Sequence, residues 1–301
     1  MAATPYLSAN RYKVSGYGMD TSSLAGPRLT ATLRRSTTMV NAWCNAQIVP
    51  QEFDFRGGTI TNEQHTFPIP NPLTAGPGSR RIFVYARPLR TVTAFALEFT
   101  NSYRITLPPS DLYINKTEGF AEIVASQPTI IGYPPLGYLF GLYQPIATIS
   151  YTYGYSDTIT DDLLDAETPR LFYGSRGSWD RSVPPVVKVD GVVQTTGYTV
   201  SYIDGSVTFA ASPAAGVEVT ASYSTTLHDA IAQATGIIAT DLIGQSRIAA
   251  RGMVGLQSVR VAEVALTALQ GTSGRYVTRN GVSIPAAAAQ MLGQFALGKA
   301  A

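Results

Sequence analysis

Apolar positions in this chain follow two rhythms, and the change from one to the other divides it. Over residues 227–245, Leu227, Ile231, Ala234, Ile238 and Leu242 recur at spacings of four, three, four and four. That makes one stripe at the helical period, widened by Ile237 and Ile243. Thr225 or Thr226 stands where an N-cap hydroxyl belongs, and Asp229 lies in the first turn, where negative charge suits the helix dipole. A helix this apolar needs a cover. The comparable partner is residues 28–47, where Leu29, Leu33, Ser36, Val40, Trp43 and Cys44 share a face. Arg28, Arg34 and Arg35 lie off that face, and Pro27 suits the first turn. The pattern predicts that two helices far apart in sequence pack on each other.

Between them the period is two. Residues 51–55 and 59–69 alternate around an Arg-Gly-Gly turn, residues 82–85 read as a strand, and residues 90–100 place Val92, Ala94 and Ala96 on one side. A further strand at 112–115 turns at Glu118-Gly119 and returns through Ile123, and residues 147–155 close the region. Residues 128–145 are apolar but broken by Pro and Gly. They read as a loop offering Tyr133, Tyr138, Phe140 and Tyr143 as an inter-subunit contact, with core packing the equal alternative.

Residues 156–180 are acidic and then aromatic. Asp161, Asp162, Asp165 and Glu167 lack the Gly and terminal Glu of a calcium loop, so a solvated linker is expected. Residues 183–224 alternate strictly around Asp190-Gly191 and Asp204-Gly205, the commonest hairpin turn chemistry. The Asp111 and Gly119 segment resembles the Gly197 and Gly205 segment, either as a duplication or as two meanders sharing one turn chemistry.

The ends look different. Residues 1–25 are polar and unpatterned, an extended arm ordered only against a partner. Arg247 and Arg251 suit the C-terminal end of the long helix. Residues 271–284 read as a polar loop, and Pro285 can start a short final helix. Met291, Leu292, Phe295 and Leu297 on that helix are the candidate residues for docking into a groove on a partner. The expected fold class is α+β: a helical pair from the N- and C-terminal regions, an antiparallel β region and an inserted small β domain. The expected divisions are 1–25 (arm), 26–155 with 225–270 (core), 156–224 (inserted β domain) and 271–301 (C-terminal extension).

Composition narrows function more than fold. Twenty-two basic and 20 acidic residues give a net charge of +2, which argues against a dedicated nucleic-acid grip. Charged residues are 14% of the chain, and with 17 tyrosines that suits a surface covered by other subunits or, equally, a turn-rich β protein. The single cysteine, Cys44, excludes an internal disulfide and any Cys-based zinc site, and reads as a small buried apolar group. The N-terminus lacks a signal peptide's apolar run, and no apolar stretch of spanning length occurs, so cytoplasmic synthesis is expected.

Candidate chemistry is thin. His65 and His228 have no ligand-spaced Cys or carboxylate, and no phosphate-binding glycine loop or nucleophile elbow is present. No catalytic, cofactor or metal residues are assigned, and an enzyme is not expected. Tyr173 and Trp179 beside Asp180 are the candidates for a sugar-stacking platform.

The order of parts resembles the head-to-tail connector (adaptor) proteins of tailed bacteriophages. The resemblance rests on Asn41-Ala42-Trp43-Cys44-Asn45, Arg87-Pro88-Leu89-Arg90-Thr91-Val92, Ser150-Tyr151-Thr152-Tyr153-Gly154-Tyr155 and His228-Asp229-Ala230-Ile231-Ala232-Gln233. The segment 255–264 follows the last of these, and the likeness covers residues 28–155 and 225–268. Residues 156–224 depart from it, because in the family the helix follows the Gly-Tyr segment closely. The resemblance implies a structural virion protein in the neck, assembled in the host cytoplasm. It implies a dodecameric ring between the portal and the tail or its stopper, through which DNA passes, with terminal extensions docked on neighbours. The alternatives are another tail or baseplate protein, or a β-rich surface or carbohydrate-binding module.

Overall fold

The structure is a computed structural model and describes residues 4–14, 26–45, 48, 53–66, 81–100, 103–116, 118–123, 146–250, 258–261, 264–267 and 276–296. The chain divides into two compact units, Phe55–Tyr155 and the combination of Met1–Asp54 with Ser156–Ala301. The β material expected to form a core with the helices is thus a unit by itself. The segment expected as an insertion belongs with the helices.

In the unit Phe55–Tyr155 the alternation is realised as antiparallel sheet. Strands β1 (Gly58–Thr66), β3 (Leu89–Thr100), β4 (Tyr103–Leu107) and β7 (Ile146–Tyr153) form one sheet in the order β1-β7-β3-β4. Strands β2 (Arg81–Phe83), β5 (Leu112–Asn115) and β6 (Phe120–Ile123) form a second in the order β2-β6-β5. Phe95, Leu97, Ile105, Ile149 and Tyr151 are buried, and each lies on the inward beat of its strand. The ends of β1 and β7 meet at two glycines with positive φ. A Cβ on Gly154 would sit 2.4 Å from the Gly57 Cα, so only hydrogen fits between the chains there.

In the other unit, residues 157–225 form a two-sheet sandwich. Strands β8 (Asp157–Leu163), β11 (Val186–Val189), β12 (Val192–Gln194) and β15 (Val219–Thr225) give the order β12-β11-β15-β8. Strands β9 (Asp165–Ala166), β10 (Leu171–Tyr173), β13 (Tyr198–Ser201) and β14 (Ser206–Phe209) give β13-β14-β10-β9. Between them lie Leu164, Phe172, Trp179, Val187, Val207, Phe209, Val219, Ala221 and Tyr223. The solvated linker expected at 156–180 is corrected: it supplies β8, β9 and β10. These are mainly edge strands, whose outward residues stay wet, so acidic side chains there disguise a strand.

Helices α1 (Ala9–Val14), α2 (Gly26–Cys44), α3 (Asp229–Ala250) and α4 (Ala286–Leu292) complete this unit. Leu29 and Leu33 of α2 pack with Ala239 and Ile243 of α3, so the two distant helices do meet. They are not the body of the fold, however. Among the described residues strand outweighs helix by 41% to 26%, which overturns the α+β class built on a helical pair and makes the described fold predominantly antiparallel β. The reason is visible in the sequence stretches that resisted reading, since β8–β10, β18 (Tyr276–Arg279) and β19 (Val282–Pro285) all lie in segments expected to be loop. Asn280 and Gly281, both with positive φ, turn β18 into β19 as an Asn-Gly hairpin. The Asn280 side-chain amide donates to the Ala42 and Trp43 carbonyls at 3.1 Å each, and so closes the C-terminal end of α2. Strands β16 (Ser258–Val261) and β17 (Val264–Thr267) pair as a separate hairpin.

Residues 4–14 and 286–295 both pack on the helices of this unit. The expectation of an N-terminal arm ordered only by a partner fails for residues 4–14. Tyr6 donates from its hydroxyl to Asn41 Oδ1 at 2.6 Å and from its N–H to Thr37 Oγ1 at 3.0 Å. Tyr12 shares a hydrogen bond with Thr240 at 2.8 Å, and Leu7 and Tyr12 join the α2–α3 core. A polar segment can be anchored this way because its tyrosines bury rings and still satisfy their hydroxyls.

Candidate functional site

Tyr133, Tyr138, Phe140 and Tyr143 lie outside the described residues, as does Leu297. In α4, Leu292 is fully buried, together with Ala288 and Ala289, against α3 and β19 of its own chain. Met291 and Phe295 are half-buried, and the Phe295 ring meets the His228 ring edge-on at 5.0 Å. The expectation of a tail that leaves the body is therefore corrected for 286–295. Ala288, Ala289 and Leu292 are covered by the chain's own elements, α3 foremost, which needed a cover on that side.

His228 joins this contact to the start of α3. Its Nδ1 accepts from the Ala230 N–H at 3.2 Å, the N-terminal bond expected of Thr225 or Thr226. Thr226 instead donates to the Ser178 carbonyl at 3.0 Å. Burial, and then the nearby Arg176 charge, lower the His228 pKa below the ordinary imidazole value. The unfolded chain binds a proton near pH 6.5 and the folded chain only at lower pH, so stability is complete above that pH and declines as pH falls below it. Thermal melts of the wild type should show falling stability from about pH 7 towards about pH 5.5, and His228→Asn, which keeps a capping acceptor and cannot titrate, should flatten that slope. An equal slope in both proteins would remove His228 from the account.

A cavity of about 440 Å³ opens between Tyr6, Leu7 and Arg11, the loop 175–178 with Ile203, and the first turns of α3. Leu227 and Ile237 give it apolar wall; Arg11, Arg176, Asp229 and Gln233 are its charged and amide groups. Each of these already has a partner in the chain. Arg11 donates to the Ser175 carbonyl at 2.6 Å, Arg176 pairs with Asp157 at 3.0 Å, and Gln233 donates to Asp229. A ligand site instead aims unspent polar groups at one point. This cavity is the seam where the N-terminal segment, the sandwich and α3 are fastened together.

The Tyr173 and Trp179 pair is not a sugar platform, because both rings are buried. Trp179 stacks on Tyr223 at 4.1 Å, and its Nε1 donates to the Arg176 carbonyl at 2.8 Å. The Tyr223 hydroxyl donates to Asp162 at 2.5 Å, and burial together with this bond pushes its pKa up to about 12. Cys44 is likewise buried, and its thiol is pushed up to about 12, the state of an inert thiol.

One polar cluster was not foreseen. Glu63, almost fully buried in the unit Phe55–Tyr155, accepts from the Tyr151 hydroxyl at 2.5 Å and from the Tyr85 N–H at 3.0 Å, with His65 Nε2 at 2.5 Å. Tyr151 in turn accepts from the Ala86 N–H at 3.0 Å, and burial, then the Glu63 charge, hold its phenol well above the ordinary value. Glu63 and His65 share one face of β1 two residues apart, a signal too common to select. The cluster ties β1 and β7 to Tyr85 and Ala86. Among the described residues no group of His, Cys, Asp and Glu could hold a metal ion, and no helix is long and apolar enough to cross a membrane.

No protein-family model matches this chain, and a search of curated proteins finds no match to it. The functional reading therefore rests on the surfaces and on the order of the sequence motifs.

Proposed function

We propose that this protein is a structural subunit of a tailed-phage neck, a head-to-tail connector that assembles into a closed ring between portal and tail and leaves a channel for DNA. The observation that carries the reading is the closure of α2 on α3 across almost 200 residues, the arrangement expected from the motif order. A weakly charged surface with large exposed apolar side chains, Leu163 and Val192 foremost, supports it as material for contacts between copies. In a ring the contact is head to tail, so one subunit offers two different patches.

The predominance of antiparallel strand favours a second reading, a tail or baseplate protein built mainly of β domains. Native mass spectrometry and electron microscopy of the full 32.1 kDa chain separate the two. A closed ring of the dodecameric kind is the expected outcome. A six-fold ring favours the tail protein, and a chain that stays monomeric at micromolar concentration removes both.

A further inference from the structure

We propose that one copy of this chain seats the acidic edge of its sandwich on the basic outer face of α2 in the next copy; this rests on the ring reading above and names its contact. The net charge of +2 conceals a strong separation. Within the unit formed by Met1–Asp54 and Ser156–Ala301, residues 156–225 carry nine Asp and Glu against four Lys and Arg, while the rest of that unit carries 11 basic residues against six acidic. A subunit divided in this way is repelled side by side and attracted head to tail.

The two faces are specific. Helix α2 has no acidic residue, and its buried side is occupied by α3 and the N-terminal segment. On the opposite side Arg28, Ala31 and Arg35 fall at i, i+3 and i+7, bordered by Arg34, and all four are exposed. Ala31 leaves the middle of that face low, so another surface can approach it. None of the three arginines makes an ion pair among the described residues.

The sandwich edge is the complement. Asp157 and Asp161 are held by Arg176 and Lys188, and Asp162 by Tyr223. Asp165 of β9 and Glu167 just beyond it are exposed and, among the described residues, make no ion pair. Beside them Leu163 is 60% exposed, an apolar anchor within an acidic rim. An acidic edge strand also discourages sheet-to-sheet aggregation, which leaves side-chain pairing with a basic face as the contact it permits. Arginine suits such a contact, because its guanidinium takes a carboxylate in two parallel bonds.

Charge exchange tests this on the full chain. The variants Arg34→Glu with Arg35→Glu, and Asp165→Lys with Glu167→Lys, should each shift assembly to at least about tenfold higher protein concentration, read by native mass spectrometry or light scattering. The chain carrying all four changes should assemble as the wild type does. All sites are exposed, and thermal melts identify any variant that misfolds. For that case Arg28→Gln with Arg35→Gln should weaken assembly and reduce its salt dependence. If the wild type forms rings but both reversal variants assemble as it does, or the fourfold variant does not regain assembly, the contact is overturned and the ring reading stands. A wild type that is monomeric in low salt overturns both. Reversals at Arg34 and Arg35 that leave assembly intact but abolish retention of duplex DNA assign the basic face to nucleic acid and overturn the proposal.

Discussion

Trp179→Ala is expected to destabilise the unit that contains the sandwich by about 3–5 kcal/mol, enough to remove much of the stability of a typical domain. Trp179 is 3% exposed, stacks on Tyr223 and donates to the Arg176 carbonyl, so truncation empties a large volume and strands that carbonyl and the Tyr223 ring. Collapse into the space is opposed by the backbone beside it. Gly205 adopts φ +64°, and a Cβ there would lie 2.3 Å from the Arg176 carbonyl and 2.8 Å from Trp179 Nε1. The chain is thus already in contact on that side and has little room to move. Urea unfolding followed by circular dichroism measures the loss, and the fluorescence of the variant reports Trp43 alone. A loss below about 1 kcal/mol would mean that the sandwich core closes over the gap and that the indole is not its centre.

Glu63→Ala is expected to cost the unit Phe55–Tyr155 about 3 kcal/mol, because it leaves the Tyr151 hydroxyl and the Tyr85 N–H buried without their acceptor. Glu63→Gln should cost less, since its carbonyl oxygen can still accept one of these bonds. Tyr151→Phe removes a donor to Glu63 and the acceptor of the Ala86 N–H together, and should fall between the two. The full cycle of wild type, Glu63→Ala, Tyr151→Phe and the double variant isolates the pair, which should show coupling of about 1 kcal/mol or more. Additive losses would mean that Glu63 acts through His65 and the Tyr85 N–H, and that the Tyr151 bond is incidental.

Periodicity is a local property, and what it determines was legible in the chain. Helices α2 and α3 stand where stripes of Leu29 and Leu33, and of Ile231 and Ile238, recur at the helical spacing. The hairpins at Asp190-Gly191 and Asp204-Gly205 turn where only a residue tolerant of positive φ can. The same logic was available at Asn280-Gly281, where the polar surroundings hid a short exposed hairpin. What the sequence left undetermined is whatever depends on partners far along the chain. Residues 4–14 have no pattern of their own, and are ordered because Tyr6 finds Asn41 and Tyr12 finds Thr240. Strands β8 and β9 read as an acidic linker, because at the edges of their sheets none of their side chains is fully buried. The final helix looked detachable, and only the exposed flank of α3 decided that Leu292 would be buried at home. Burial of a carboxylate such as Glu63 is likewise set by what three separate segments bring to it, since composition registers that a charge is present and folding alone decides which groups surround it.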